Sequence, residues 1–418
     1  MRFVLDLHIH SRYSRACSSQ LTLENIALAA KNKGIDIIGT GDFTHPAWFK
    51  SISSELEEVQ NSGLYRHKKV PKAALFILST EVSLVYRDTD KSRRVHLVIH
   101  APNLAAVALL NEKLGSRFNL RADGRPILGI SAPEFVRLCL DVDPCFIIYP
   151  AHIWTPWYSI LGSKSGFNSF EECFKEQTGN IFAYETGLSS DPLMNWQVSA
   201  LDQFTRLSNS DAHGLDNIGR EATIMALAKA DYSSIYQTIK NNRVSAGGNM
   251  NSLISTIEFF PEEGMYHYDG HRDCGFSCPP EISRKNDNIC PRCRRPLVIG
   301  VANRVAELAD RPAGYRPKKA APFVSLVGLD KIIAEILAVK NRRALTVTRI
   351  YDKMIKEIGN ELYILMEADV QMLKRGYPQI ASLIQRMRAG KVHLISGYDG
   401  QYGQVSLNKP ATKLSVKV

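Results

Sequence analysis

Over residues 1–263, short β-rich runs alternate with amphipathic stretches. Two intervening segments carry helix start signals, Thr22 before LENIALAAKNKG and Ser131 before Pro133 and Glu134. This alternation is typical of an α/β fold in which helices wrap a parallel sheet. Seven candidate strands are enough to close a barrel. They are residues 2–9, 35–40, 75–85, 95–100, 145–150, 180–184 and 205–209.

Histidine and carboxylate residues accompany these strands in a regular order. Nearly all lie near C-terminal strand ends, whereas His96 begins the fourth strand as we draw it. In α/β barrels the loops at that rim converge on one site. We therefore expect the side chains to meet. The candidates are His8, His10, Asp42, Glu81, His96, His152, Asp211 and His213.

The chemistry of these residue types indicates a metal centre. Imidazole and carboxylate groups are ligands for divalent metals, and His-x-His on a strand places both rings on one face. Eight ligands exceed the needs of one ion, so we predict two or three ions of zinc, manganese or magnesium. Such ions activate water and stabilise the attacking and leaving oxygens of a phosphoryl group. The pattern therefore predicts hydrolysis of a phosphate ester.

The motifs DLHIHS, TGD, STE, VHLVIHAP, PAHIW and SNSDAHG resemble those of the polymerase-and-histidinol-phosphatase (PHP) superfamily over roughly residues 1–250. The resemblance implies a distorted seven-stranded barrel with up to three metal ions, held by the eight candidates above. It also implies that Glu81, His152 and Asp211 are catalytic. In this reading Glu81 bridges two ions, and Asp211 lies close to the hydrolytic water.

The chain departs from the superfamily pattern at two positions. Ala16 and Cys17 stand where many members have an acidic or His ligand, and Phe43 stands where many have His. The occupancy of one metal site is therefore in question. His45 and Cys17 are substitute ligands, and His100, on the strand face of His96, is a further alternative.

Four of the eight Cys fall within twenty residues, which in a chain without a disulfide framework indicates a zinc module. Cys290 and Cys293 form the stronger half, CPRC, and Cys274 and Cys278 form a looser pair. His271 is an alternative to Cys278 as the fourth ligand. We predict one structural zinc here.

The excess of positive charge lies in the C-terminal third of the chain. Residues 1–263 contain 26 Lys and Arg against 28 Asp and Glu, whereas residues 264–418 contain 26 against 14. A basic region beside a nearly neutral one is typical of polyanion binding, and a solvated basic surface is the alternative. We predict a barrel at residues 1–260, a zinc module at 261–315 and a basic, mainly helical nucleic-acid-binding domain at 316–418.

The barrel motifs, the segment HRDCGFSCPPEISRKNDNICPRCRRPLVIGV and RVAELADRP together resemble the endonuclease Q family. FAYETGLSSDP adds to this resemblance. It implies a DNA repair endonuclease that cleaves 5′ to uracil, hypoxanthine, xanthine and abasic sites after extruding the altered nucleotide. Damaged DNA is then the main partner, with other repair or replication proteins as further ones. The candidate DNA contacts are Trp154, Trp157, Arg294 and Arg295.

Two other functions use parts of the same pattern. A small-molecule phosphatase needs the metal ligands but no basic domain, and a non-catalytic nucleic-acid-binding module needs only a vestigial barrel. The start of the chain, MRFVLDLHIHS, lacks the continuous apolar stretch of a signal peptide, and no run is long and apolar enough for a bilayer. We therefore expect a cytoplasmic protein with no membrane partner.

Overall fold

The computed structural model describes residues 1–242, 244 and 251–408. Strands and helices alternate up to residue 258. The strands are β1 (Arg2–Asp6), β2 (Ile37–Gly39), β3 (Leu56–Glu58), β4 (Leu64–His67), β5 (Leu75–Ile77), β6 (Ser79–Asp88), β7 (Lys91–His100), β8 (Ile127–Leu128), β9 (Ile147–Pro150), β10 (Ala183–Glu185), β11 (Thr205–Leu207), β12 (Ala222–Ala226) and β13 (Ser252–Glu258). The helices are α1 (Leu23–Lys33), α2 (Pro46–Glu55), α3 (Leu104–Gly115), α4 (Ala132–Leu140), α5 (Phe170–Phe174), α6 (Pro192–Asn195) and α7 (Tyr232–Asn241).

Helices dominate the rest of the described chain. The elements are β14 (Asp269–His271), β15 (Phe276–Cys278), α8 (Pro280–Lys285), α9 (Val301–Leu308), β16 (Phe323–Ser325), α10 (Leu329–Ile336), α11 (Leu345–Glu357), α12 (Glu361–Met366), α13 (Val370–Gly376), α14 (Pro378–Arg388), β17 (His393–Ile395) and β18 (Gln404–Ser406). The predicted basic tail beyond residue 408 lies outside the described residues. No helix in the described ranges has the length and apolar character needed to cross a membrane.

Three sheets form the N-terminal region. The largest has the order β16-β13-β12-β1-β2-β5-β4-β3, the second has the order β8-β6-β7-β9, and β10 pairs with β11. β1, β2 and β5 are parallel, as are β10 and β11. Strands of all three sheets enclose one core. Its buried members include Leu5, Ile37, Ile77, Val98, Ile147, Ala183 and Leu207.

The third and fourth predicted strands differ from the sequence expectation. The third divides into β5 and β6, and β6 forms an antiparallel hairpin with β7 that begins at Lys91. His96 therefore lies inside β7 instead of beginning a strand, opposite Ser83. The helix start signals are confirmed: the side chains of Thr22 and Ser131 accept hydrogen bonds from the first turns of α1 and α4.

The C-terminal helices are joined to the N-terminal region by a strand and by ion pairs. β16, within the predicted third domain, pairs in parallel with β13 of the large sheet. Lys33 at the end of α1 lies 2.6 Å from the carboxylate of Glu361 in α12, and both side chains are almost completely buried. The segment HLISGYDGQYGQ forms the β17–β18 hairpin and its loop.

Candidate metal-dependent active site

Four predicted ligands meet in one cluster at the C-terminal ends of β1, β5 and β11. His10 Nε2 lies 3.1 Å from Asp211 Oδ1 and 3.2 Å from Glu81 Oε2. His8 Nε2 lies 3.6 Å from Glu81 Oε2 and 3.8 Å from Asp211 Oδ1. One ligand atom from each residue lies within 4.8 Å of the other three. Residues 8 and 10 reach the same site because side chains on an extended chain alternate with a period of two.

Glu81 also belongs to a second group. Its Oε1 lies 2.8 Å from His96 Nδ1 and 3.3 Å from His152 Nε2, and these three ligand atoms lie within 4.8 Å of one another. One carboxylate oxygen therefore faces His8 and His10, and the other faces His96 and His152. This is the arrangement required of a carboxylate that bridges two ions.

The cluster fits divalent cations. Buried polar atoms are nearly always hydrogen-bonded, because an unpaired one loses its hydration without compensation. The central atoms of the cluster are exceptions, since they face one another without forming hydrogen bonds. The buried atoms that have no hydrogen-bond partner include His8 Nε2, His10 Nε2, Glu81 Oε1 and Asp211 Oδ1.

The charge state of the carboxylates suits cation binding. Burial opposes ionisation of Glu81, but His96, Arg125 and His8 hold its pKa well below the usual value. Burial likewise opposes ionisation of Asp211, whose pKa is held well below its usual value, chiefly by His213. Both groups are therefore anionic at neutral pH.

Three site residues have left-handed backbone conformations, with φ of 48° at Asp42, 31° at His152 and 46° at Asp211. Such conformations cost about 1–3 kcal/mol for a non-glycine residue and persist where surrounding contacts enforce them. The carboxylate of Asp6 provides one such contact near Asp211, since it accepts a 3.0 Å hydrogen bond from the amide of Ser210.

Two predicted ligands, Asp42 and His213, lie outside both groups. The Asp42 carboxylate lies 3.1 Å from His10 Nδ1 and accepts hydrogen bonds from the amide of Ser11 at 2.7 Å and the hydroxyl of Ser14 at 2.8 Å. It therefore orients the ring of His10. His213 Nδ1 lies 2.9 Å from the carbonyl oxygen of Asp211.

Two charged residues of the site escaped the sequence analysis. Glu185, fully buried at the end of β10, lies 2.9 Å from His8 Nδ1 and accepts a 3.2 Å hydrogen bond from the amide of His152. Arg125 donates a 3.0 Å hydrogen bond to Glu81. The position of Glu185 at a C-terminal strand end, inside FAYETG, was the signal that could have revealed it.

The substitute ligands also lie outside both groups. His100 is buried and lies 3.1 Å from the hydroxyl of Tyr149, and burial lowers its pKa to about 3. His45 stacks on Tyr13 with ring centroids 4.3 Å apart. Burial, with Asp42 and Asp211 nearby, raises the pKa of the Cys17 thiol.

A cavity of about 450 Å³ opens beside the cluster and is bounded by His96, His152, Glu185 and Asp211. Its far wall is aromatic, with Trp157 packed edge-on against Tyr266 at a centroid distance of 5.7 Å. Trp157 is therefore available for stacking. Trp154 is not, because it is 1% exposed and donates its indole N–H to Asn195. Our expectation of DNA contact by Trp154 is corrected to packing in the core.

The Cys-rich segment brings together His271, Cys274, Cys290 and Cys293, with one ligand atom of each within 4.8 Å of the others. Burial opposes ionisation of Cys290, but hydrogen bonds from the amides of Cys293 and Arg292 lower its pKa to about 7. A thiolate ready for metal binding is the consequence.

Cys278 stands outside this group. In the β14–β15 hairpin Cys278 pairs with Asp269, whereas His271 pairs with Phe276 next to the turn. Cys278 therefore lies two residues further from the turn than the pair that contains His271. Its side chain packs with Cys290 and Leu297 in a small core. Arg294 and Arg295 are exposed next to the ligands, as a role in phosphate contact requires.

Comparisons with solved structures cover nearly the whole chain. The lesion-specific endonuclease PfuEndoQ from Pyrococcus furiosus is 28% identical, with a TM-score of 0.83 over 97% of this chain and 95% of that one. An endonuclease Q bound to a 27-mer duplex with an abasic lesion is 27% identical, with a TM-score of 0.85 over 100% and 99% of the two chains. This chain belongs to the endonuclease Q family.

This chain is also similar in sequence to two proteins that are described as uncharacterised. Bacillus subtilis YqxK is 30% identical over 424 residues, which cover 96% of this chain and 98% of YqxK. Methanocaldococcus jannaschii MJ0043 is 29% identical over 260 residues, or 60% of this chain and 31% of that protein. Residues 328–391 match the family described as the MJ0043 C-terminal domain.

Proposed function

We propose that this protein is a metal-dependent DNA repair endonuclease that hydrolyses the phosphodiester on the 5′ side of a damaged nucleotide. The observation that supports this most is that Glu81 stands between two groups of potential metal ligands beside a cavity of about 450 Å³. The chain that contains this site is a member of the endonuclease Q family. The proposed lesions are uracil, hypoxanthine, xanthine and abasic sites. A solved relative bound to a duplex with an abasic lesion supports the last of these.

The proposed architecture is a distorted seven-stranded PHP barrel at residues 1–260, a zinc module at 261–315 and a nucleic-acid-binding domain at 316–418. Its support is a buried core to which β1, β2, β5, β7, β9, β10 and β11 contribute together with β4 and β12. One structural zinc would be held by His271, Cys274, Cys290 and Cys293, with His271, the alternative fourth ligand, in place of Cys278.

Two divalent ions, of zinc, manganese or magnesium, fit the barrel site. His8, His10, Glu81 and Asp211 would hold one, and Glu81, His96 and His152 would hold the other. Bound ions there supply a Lewis acid that lowers the pKa of water and neutralises phosphate charge.

The residues of the chain position the reacting groups. Asp211 has 22% of its side chain exposed, whereas His8, His10 and Glu81 are almost completely buried. Asp211 is therefore placed to accept a hydrogen bond from the attacking water and to hold it in line. The nucleotide, once extruded from the stack, enters the cavity against Trp157.

Asp211→Asn tests the proposed chemistry. We expect cleavage of a uracil-containing oligonucleotide to fall by at least ~100-fold, because the amide is neutral, while DNA binding measured by fluorescence anisotropy stays near wild type. Asp90→Asn, in the exposed β6–β7 turn, is the control. Full cleavage by the Asp211→Asn variant would end its catalytic assignment.

Salt dependence separates this proposal from a phosphatase that acts on small phosphate monoesters. Cleavage of DNA by a basic protein should fall steeply as salt rises, because phosphate contacts release counterions. Monoester hydrolysis should change little. The convergence of the ligands favours a catalytic barrel over a vestigial one.

A further inference from the structure

Tyr402 is the most exposed aromatic residue in the part of the chain that the structure describes. Its side chain is 67% exposed, against 40% for Tyr315 and 39% for Tyr363. It lies at the rim of the active-site cavity and also borders a neighbouring cavity between the barrel and the C-terminal helices. A large apolar ring at the mouth of a catalytic cavity points to a contact made only when substrate is bound.

The loop that carries Tyr402 is held rigidly. The amides of Gly397, Gly400 and Gly403 donate hydrogen bonds to the carbonyl oxygens of residues 262, 265 and 263, at 2.7, 3.0 and 3.0 Å. A Cβ at residue 403 would overlap the carbonyl oxygen of residue 262, so the close approach requires glycine. The backbone that carries the ring is therefore held in place, which reduces the entropy lost when the ring contacts a ligand.

Two arginines lie near the loop that carries Tyr402 and the cavity that it borders. The carboxylate of Asp399, in the same loop, accepts a 2.6 Å hydrogen bond from the amide of Arg272, whose guanidinium is largely exposed beside the zinc module. Arg94 is exposed and lines the same cavity as Tyr402. An exposed aromatic ring with arginines nearby suits a nucleic acid, whose phosphates and base faces meet both kinds of group.

We propose that Tyr402 enters the DNA stack and fills the gap left by the extruded nucleotide. This inference rests on the proposed function. Trp157 and Tyr266 form the aromatic wall of the cavity and are positioned for the nucleotide inside it, whereas Tyr402 is exposed at the rim and is positioned for the bases that the nucleotide leaves. Its stacking on the remaining bases replaces part of the stacking that extrusion removes.

The test compares one lesion in two settings, a fully paired duplex and a single strand. Only the duplex has a stack to be filled. Tyr402→Ala should lower kcat/KM on the duplex by roughly 10- to 100-fold and leave the single strand within about threefold. Tyr402→Phe should restore cleavage of the duplex, because it keeps the ring.

Tyr363→Ala is the matched control. Tyr363 is exposed on α12 beside Arg2 and Val4, at the end of β1 away from His8 and His10. It should leave both substrates unchanged. A 2-aminopurine base next to the lesion adds a binding readout, since its fluorescence should stay higher with Tyr402→Ala than with wild type when the gap is unfilled.

The outcomes are distinct. Equal losses on duplex and single strand, or no loss on either, would overturn the role of Tyr402. A wild-type protein that cuts no lesion in either setting would instead overturn the proposed function, and the 2-aminopurine signal would still decide whether the ring enters the stack.

Discussion

Replacing Glu185 with Gln tests whether one carboxylate positions two metal ligands. The carboxylate faces three donors: His8 Nδ1 at 2.9 Å, Asn209 Nδ2 at 2.9 Å and the amide of His152 at 3.2 Å. A Gln side chain has one acceptor oxygen, so its NH2 group must face at least one of these donors. An unsatisfied buried donor costs about 1–3 kcal/mol, or roughly 5- to 150-fold in an equilibrium constant. We expect metal affinity to fall about 10- to 100-fold, the range usual for groups that orient metal ligands.

The assay is a metal titration of the cleavage rate, with bound metal measured by mass spectrometry after dialysis. The midpoint should move to higher metal concentration. Glu221→Gln is the matched control, because burial and the neighbouring Glu258 raise the pKa of Glu221 well above its usual value, so that a neutral amide replaces a neutral acid. Glu221 accepts a hydrogen bond from the amide of Phe259 instead of contacting a ligand. A midpoint for Glu185→Gln equal to that of the control would refute the reasoning.

Three further predictions concern the zinc module and the core. His271→Ala should lose the structural zinc, measured by metal analysis of a variant lacking the barrel ligands, whereas Cys278→Ser should keep it; the reverse result would restore the four-Cys site. Lys33→Met should lower the free energy of unfolding, measured by urea denaturation, by about 3 kcal/mol, because it leaves Glu361 buried without its cation. The difference from wild type should become smaller at low pH, where Glu361 takes up a proton. Burial raises the pKa of Glu258 to about 7. As pH rises from about 4.5 to 7, Glu258 therefore loses its proton in the unfolded chain first, and its contribution to the free energy of unfolding should fall. Glu258→Gln should flatten that part of the pH profile of thermal unfolding, and an unchanged slope would contradict this role of Glu258.

The sequence predicted which residue types gather in the two groups, because their chemistry and strand-end positions are visible in the chain. It could not separate the members of the two groups from the residues beside them. Asp42 and Glu81 are both buried carboxylates near C-terminal strand ends, and they differ only in which face of His10 they reach. That difference depends on side-chain geometry over a few ångströms, which strand periodicity does not determine. Glu185 also stands at a C-terminal strand end, inside FAYETG, but that position does not show that its carboxylate faces His8.

The zinc module shows a related limit. Cys spacing suggests Cys278, but a hairpin brings His271 closer to the turn that carries Cys274. Spacing along the chain measures contour length, and antiparallel pairing changes which residues that length brings together. His271 stands three residues before Cys274, which made it an alternative ligand, and the structure gathers it with Cys274, Cys290 and Cys293.

The β6–β7 hairpin explains how one carboxylate can serve two groups of ligands. Within it Glu81 pairs with Val98 and His96 pairs with Ser83, so Glu81 and His96 are diagonal neighbours on one face. Diagonal neighbours in an antiparallel pair are within reach of long side chains. A parallel crossover, as the sequence alternation suggested, would make β7 run in the same direction as β6 and remove this contact. A slip of one residue would turn either side chain to the opposite face. The register of the hairpin therefore sets the distance between Glu81 and His96. Independently, the end of β1 brings His8 and His10 to the other oxygen of the Glu81 carboxylate.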